Sequence, residues 1–536
     1  MLLSCSGIRR VPQLDAYQSQ AGKPDGSLRK NQQGIWELYV SGNPLERGLT
    51  NGQLTRELLE KQEAAFLSNV QQWIPSRFRQ RLLQGFIKFF GRSLDEHIPE
   101  EYLAEIYGIS RSSADTYHSI APAYPRLLYF HAAHDIGHAL QDLALVGCSS
   151  FAAWGDQTAD GKLLIGRNFD FYAGDEFSED KIVAFVNPDS GYKHAFVTWA
   201  GMIGAVSGMN EHGLTVTINA GRSNVPFRAK TPISLLTREI LQYATTIEEA
   251  IRIAAQRPVF VSESILVGSA ADGQAALIEV SPRKFGVHTA EPGSNLVVCT
   301  NHFQSDAYRT DKKNLRQMEE SHSRYRFNRM HELLAPGQPL TPSEAAAILR
   351  DRDGLDGVEL GHGNEKAINQ LLAHHAVIFQ PADRLMWVSA NPYQLGEFVA
   401  YDLDEVFRRM EDPQSDPDGT AAPADLASTA LNIPADPFAG SVDFENYQAF
   451  RTLRREVKAA IKDRTPLSPD TLERFAGLNP AFWETHFLMG EYYFHRREYA
   501  EALPHYRSAA ALEVTTLADQ QQLEKRIRKC IKKSKQ

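Results

Sequence analysis

Cys148 is the candidate nucleophile. It follows Gly147, precedes Ser149 and Ser150, and sits where the apolar run Leu140 to Val146 gives way to strand-rich sequence. Glycine tolerates backbone conformations that other residues resist, which suits a Gly–Cys peptide attacked by its own thiol. The same residues also fit a buried, inert thiol, the commonest state of a free cysteine. Downstream, Arg167 and Asp170 are positioned either to serve such a thiol or to form an ordinary cross-strand ion pair. A second cluster, His131-Ala132-Ala133-His134-Asp135-Ile136-Gly137-His138, puts His134 and His138 one helical turn apart, as zinc ligands often are. The glutamate of an HExxH site is missing, so packing or hydrogen bonding near Cys148 is the simpler role. The other cysteines, Cys5, Cys299 and Cys530, have neither CxxC spacing nor a matching His pattern, so neither a zinc knuckle nor a disulfide framework is expected.

Several stretches occur in an order that resembles a known group. Gly147-Cys148-Ser149-Ser150-Phe151 is followed by Asp160-Gly161 and by Gly166-Arg167-Asn168-Phe169-Asp170-Phe171. Then come Met209-Asn210-Glu211-His212-Gly213-Leu214, leading to Asn219; Ala271-Asp272-Gly273 with Ala276-Leu277-Ile278-Glu279; Thr300-Asn301-His302-Phe303; and Ser323-Arg324-Tyr325. Upstream lies Gly42-Asn43-Pro44-Leu45-Glu46-Arg47-Gly48, and downstream Ile378-Phe379-Gln380-Pro381 with Leu385-Met386-Trp387-Val388. Over about residues 40 to 400 this resembles the isopenicillin-N acyltransferase-like and choloylglycine hydrolase group of N-terminal-nucleophile (Ntn) hydrolases. The long segment before Cys148 and the longer Cys-to-Arg spacing set the chain apart from bile-salt hydrolases and nearer the acyltransferase-like branch.

The resemblance implies an α+β fold, an Ntn αββα sandwich, and self-cleavage between Gly147 and Cys148. The freed α-amine, with an ordinary pKa of about 7.7–8.0, would act as base for the thiol of the same residue. Asp170 would hold that amine. Arg167 would lie near the sulfur and favour thiolate. Asn219 and Asn301 would aim N–H groups at the oxyanion, and Arg324 would complete the polar network. No cofactor and no metal are required. The expected substrate is a small N-acyl amide, and the segment before Cys148 is expected to remain bound as a subunit.

Positioning these residues requires particular elements. Residues 1–33 read as a polar tether and 34–147 as a mostly helical segment. Residues 148–410 read as the catalytic core, with strands at 162–171, 181–186, 195–202, 213–219, 264–270, 275–280, 295–300, 376–380 and 385–389. Helices are expected at 233–256, 312–335 and 342–350. Residues 411–440 are a Pro-, Asp- and Ala-rich linker. Residues 441–536 are helical, with Gly490, Tyr493, Ala502, Tyr506 and Ala509 spaced like a tetratricopeptide pair; an ordinary helical hairpin fits as well.

With 536 residues, 43% hydrophobic and 23% charged, the chain has the composition of a globular protein of two or three units. A net charge of −9 gives no sign of a nucleic-acid binder. No apolar run reaches the roughly 20 residues of a membrane span. Leu2-Leu3-Ser4-Cys5 resembles a lipid-attachment site without its signal; Cys5 is either that site, which would tether the protein to a bacterial envelope, or an incidental residue. Two other functions compete. A papain-type peptidase lacks its motif here. A non-enzymatic scaffold would use the C-terminal helices to bind a protein partner.

Overall fold

The computed structural model describes residues 11–534 apart from 19–24, 74–75, 77, 79, 83–84, 86–88, 90, 119–120, 133–146, 172–173, 223–227, 336, 338 and 412–425. Cys5, His134 and His138 lie outside the described residues, as does much of the expected linker.

The strands, in chain order, are β1 (Gly26–Lys30), β2 (Trp36–Gly42), β3 (Ser149–Ala153), β4 (Leu164–Phe169), β5 (Ile182–Pro188), β6 (His194–Thr198), β7 (Ser207–Asn210), β8 (Leu214–Ala220), β9 (Glu263–Ser269), β10 (Gln274–Val280), β11 (Phe285–Thr289), β12 (Leu296–Cys299), β13 (His375–Gln380), β14 (Leu385–Ser389) and β15 (Phe398–Asp402). They form a nine-stranded sheet, β1-β2-β5-β6-β7-β8-β9-β10-β11, and a six-stranded sheet, β12-β3-β4-β13-β14-β15. The β2–β5 pair is parallel, and the other neighbours are antiparallel.

Alternation along these strands gives each sheet two apolar faces. Val183, Phe185 and Leu266 of the larger sheet pack against Ile165, Val377 and Phe379 of the smaller. The outer face of the larger sheet meets helices through Tyr102, Leu127, Leu236 and Ile240. That of the smaller meets Met330, Ala345 and Leu349. This is the expected αββα sandwich.

Two readings of the N-terminal region are corrected. Gly26–Lys30, assigned to a polar tether, is an edge strand whose Arg29 and Lys30 suit an exposed edge. Trp36–Gly42, assigned to the mostly helical segment, pairs with β5 along its whole length. The acyltransferase-like stretch that follows is structural. Asn43 and Glu46 form a capping box on the Pro44–Leu54 helix. Arg47 pairs with buried Glu105 at 2.7 Å. At Gly48 a β-carbon would come within 2.1 Å of the Glu105 carbonyl oxygen, so only glycine lets the Glu100–Ser110 helix approach this closely.

At the C-terminal end, helices Val442–Asp463, Pro469–Leu478, Trp483–His495, Tyr499–Ala510 and Leu517–Lys533 share one apolar core. Gly490 faces the Tyr506 ring, where a β-carbon would lie 2.6 Å from its nearest atoms. This core also takes in Leu371, Tyr393 and Leu395 from the preceding region.

Candidate active site

The register of β3 against β4 assembles the centre. Ser150 pairs with Arg167 and Ser149 with Asn168. Cys148, one residue before the strand, falls on the same face as Ser150 and Arg167 because side chains alternate. The turn between the strands is the expected one: Gly161 has φ +75° and Asp160 accepts the Lys162 N–H at 3.0 Å.

Cys148, Arg167, Asp170, Asn219 and Asn301 converge, and all five are buried. The Arg167 Nη2 lies 3.9 Å from the Cys148 Sγ. The same guanidinium donates to the Val206 carbonyl at 3.0 Å, to the Ile218 carbonyl and to Ser207 Oγ, so the larger sheet fixes its direction. Ser207 is in turn 2.9 Å from His375 Nε2. Asn219 accepts from Ser150 Oγ at 3.2 Å and donates to the Cys299 carbonyl at 3.1 Å. Asn301 donates to the Ala220 carbonyl at 3.0 Å. Each amide nitrogen thereby keeps one further N–H without a partner among the described residues.

Arg324 is exposed, and Arg326 occupies the place foreseen for it. Arg326 Nη1 donates to the Cys148 carbonyl at 2.6 Å and to Ser149 Oγ at 2.7 Å, while Nη2 donates to Asn301 Oδ1 at 2.6 Å. The reason is helical geometry. Both lie on the Ser323–Leu333 helix, and residues two apart point to nearly opposite sides. Ser323 itself anchors Asn301 by accepting its backbone N–H at 2.9 Å.

Asp170 is the electrostatic anomaly. Neither carboxylate oxygen has a hydrogen-bond partner among the described residues. Burial pushes this acid up to about 7, against the opposing pull of Arg326 and Arg167. Burial likewise raises the Cys148 thiol to about 11 although Arg167 opposes it, so in the intact chain burial outweighs the expected thiolate-favouring charge. Gly147 also has a different reason from the one anticipated. Its φ lies outside the left-handed range, and what it supplies is room: a β-carbon would sit 2.2 Å from Gln370 Nε2. That nitrogen donates to the Gly147 carbonyl at 2.8 Å, and the Gly147 N–H donates to the Asp170 carbonyl at 3.1 Å.

The other motifs do structural work. Asn210 turns β7 into β8, accepting the His212 and Leu214 N–H groups at 3.1 and 2.9 Å. Glu279 accepts the backbone N–H groups of Gln304 and Ser305, fixing the loop after Asn301. His131 bonds the Leu127 carbonyl through one ring nitrogen and the Ile203 N–H through the other. Both of its nitrogens are thus engaged within the fold. Cys299 and Cys530 are buried free thiols.

Residues 157–392 match the family model described as acyl-coenzyme A:6-aminopenicillanic acid acyl-transferase. The match begins downstream of Cys148 and spans Arg167, Asp170, Asn219, Asn301 and Arg326, so the resemblance carried by the motifs is borne out over this stretch. An uncharacterized protein of Archaeoglobus fulgidus is 24% identical over 309 residues, 53% of this chain and 50% of its own length. Protein dcd1B of Dictyostelium discoideum is 24% identical over 300 residues, 51% of this chain and 57% of its own. The chain spans about half the length of the curated relatives it matches. Among solved structures, a Caenorhabditis elegans N-acylethanolamine-hydrolyzing acid amidase ortholog is similar at 16% identity and TM-score 0.32, covering 44% of this chain and 93% of that one. A variant of conjugated bile acid hydrolase from Clostridium perfringens is similar at 13% identity and TM-score 0.33, covering 48% and 93%.

Proposed function

We propose that this chain is a self-processing Ntn cysteine amidohydrolase or acyltransferase that cuts itself between Gly147 and Cys148 and then acts on small N-acyl amides. The observation that carries the reading is Asp170: a buried carboxyl without a hydrogen-bond donor among the described residues, next to a peptide whose cleavage would create one. Burying an acceptor without a partner is costly, and a new α-amine on Cys148 would relieve that cost. It would also supply the base for the Cys148 thiol. In turnover, the Cys148 sulfur attacks the acyl carbon, the spare N–H groups of Asn219 and Asn301 take the oxyanion, and the amine product leaves with the thiol proton. Water or a second amine then resolves the thioester.

Retention of the segment before Cys148 is supported by packing. Leu38, Val40, Leu59, Tyr102 and Leu127 share one apolar core with Phe169, Val216 and Ile240, so separation would expose a large apolar face. The test is intact-mass and N-terminal analysis of the purified protein. Two co-purifying chains, the second starting at Cys148, are expected. A Cys148→Ala chain that still cuts at this bond sinks the mechanism.

A further inference from the structure

The peptide that would be cut is held in the manner of a substrate. Its acyl side is fixed through the Gly147 N–H, which donates to the Asp170 carbonyl at 3.1 Å. The carbonyl of the next residue, Cys148, is held by Arg326 at 2.6 Å. Between them, the Gly147 carbonyl oxygen accepts a hydrogen bond from Gln370 Nε2 at 2.8 Å. Of the two ends of the Gln370 amide only the NH2 can donate to a carbonyl, so the amide orientation follows from the contact. Gln370 is 2% exposed, and Gly147 gives it space that any larger residue would deny.

We propose that Gln370 is the catalytic oxyanion donor of the self-cleavage step, a role distinct from that of the asparagines in turnover; this rests on the self-processing reading above. When Sγ of Cys148 adds to the Gly147 carbonyl carbon, negative charge develops on the oxygen that Gln370 already holds. Collapse breaks the C–N bond, forms a thioester between Gly147 and Cys148, and leaves the thiol proton on the released α-amine. Water then adds to the thioester, giving the Gly147 carboxylate and restoring the thiol. A pre-placed donor lowers the first barrier because it needs no reorganisation as charge appears.

The Gln370 segment is secured on both sides. Asn168 Nδ2 donates to the Ile368 carbonyl at 3.0 Å, and the Asn369 N–H donates to the Asp351 carbonyl at 2.8 Å. Leu371, with φ +54°, is buried in the core of the C-terminal helices. Such anchoring holds the amide at its angle to the peptide.

The experiment follows self-cleavage of freshly synthesised full-length chain by time-resolved intact mass, for wild type, Gln370→Met and Gln370→Glu, with Cys148→Ala as the uncut reference. Thermal midpoints are taken in parallel. Both Gln370 variants are expected to melt within a few degrees of the reference and to cut the same bond about 10²–10³ times more slowly. Hydroxylamine, which resolves thioesters, should not restore the rate, because the defect precedes thioester formation. A folded variant that cuts at the wild-type rate, or that hydroxylamine rescues, overturns the role of Gln370 and leaves self-processing standing. If neither variant folds, the residue serves the fold and the proposal fails. A wild-type chain that never cuts overturns the self-processing reading itself.

Discussion

Asp170 offers a test that needs no substrate. In the uncut chain, burial raises its carboxyl from the ordinary 3.8 to about 7. The folded chain therefore holds this proton more tightly than the unfolded chain, so ionisation opposes folding. Stability is lost as pH rises from about 4 to 7 and levels off above. Each unit is worth about 1.4 kcal/mol, so the full penalty is about 4 kcal/mol at pH 8 and about 2 kcal/mol at pH 5. Asp170→Asn cannot ionise. In a Cys148→Ala background, which keeps the chain whole, Asp170→Asn is expected to melt at higher temperature, with the gap widening from pH 5 to pH 8. Differential scanning fluorimetry at unit pH steps reads it. Parallel pH dependence in the two chains, or a gap that closes as pH rises, would refute the reasoning. Cut wild-type protein should lack the penalty, because the new amine would neutralise the acid.

Arg326→Leu leaves the Cys148 carbonyl, Ser149 and Asn301 Oδ1 without their shared donor, and self-cleavage followed by gel should fall at least tenfold, whereas Arg324→Ala on the exposed face should cut normally. Lys181 is buried, with its Nζ on the Ser389 carbonyl at 3.0 Å, and burial lowers its pKa to about 7. Its folded pKa is depressed, so charging costs stability fully below pH 7 and less toward pH 10; Lys181→Met should raise the melting midpoint by an amount that is largest below pH 7 and shrinks above it. Removing residues 441–536 bares Leu371, Tyr393 and Leu395, and the truncated chain should aggregate in size-exclusion chromatography and cut poorly.

What the sequence revealed of the site was its local part. Cys148, Arg167 and Asp170 lie on one hairpin, and a hairpin's register follows from its turn and its alternation. Asn219 lies one residue before the end of β8 and Asn301 two residues beyond β12, and it was the family resemblance that singled them out. The choice between Arg324 and Arg326 was in principle available, since only one can face inward, but which one depends on how the helix rolls against β3. Gln370 had no local signal: it reaches Gly147 across 223 residues, through a segment without regular structure. β1 was hidden because a short basic edge strand has the composition of a tether. β2 was hidden by Glu37, a buried charge that breaks the apolar pattern and is satisfied by Arg29, Asn31 and the Leu426 N–H.

The C-terminal helices carry a consequence for the site that their spacing alone did not suggest. Read as a tetratricopeptide-like module, they would be free to bind a partner. In the fold they grip the stretch that leads to Gln370. Asn479 exchanges two hydrogen bonds with the backbone of His362, at 3.1 and 2.9 Å. Gly361 is pressed against the Phe482 backbone so closely that a β-carbon would lie 2.3 Å from its nitrogen. Lys366 pairs with Glu513 at 2.6 Å, and Asn364 donates to the Glu513 carbonyl at 3.0 Å. Buried Leu371 closes the set, one residue after Gln370. A loop of this kind would otherwise be free to fluctuate, and a donor must be held within a fraction of an ångström to serve a developing charge. The helices therefore contribute to the candidate site through geometry, with no residue of their own beside Cys148 among the described residues.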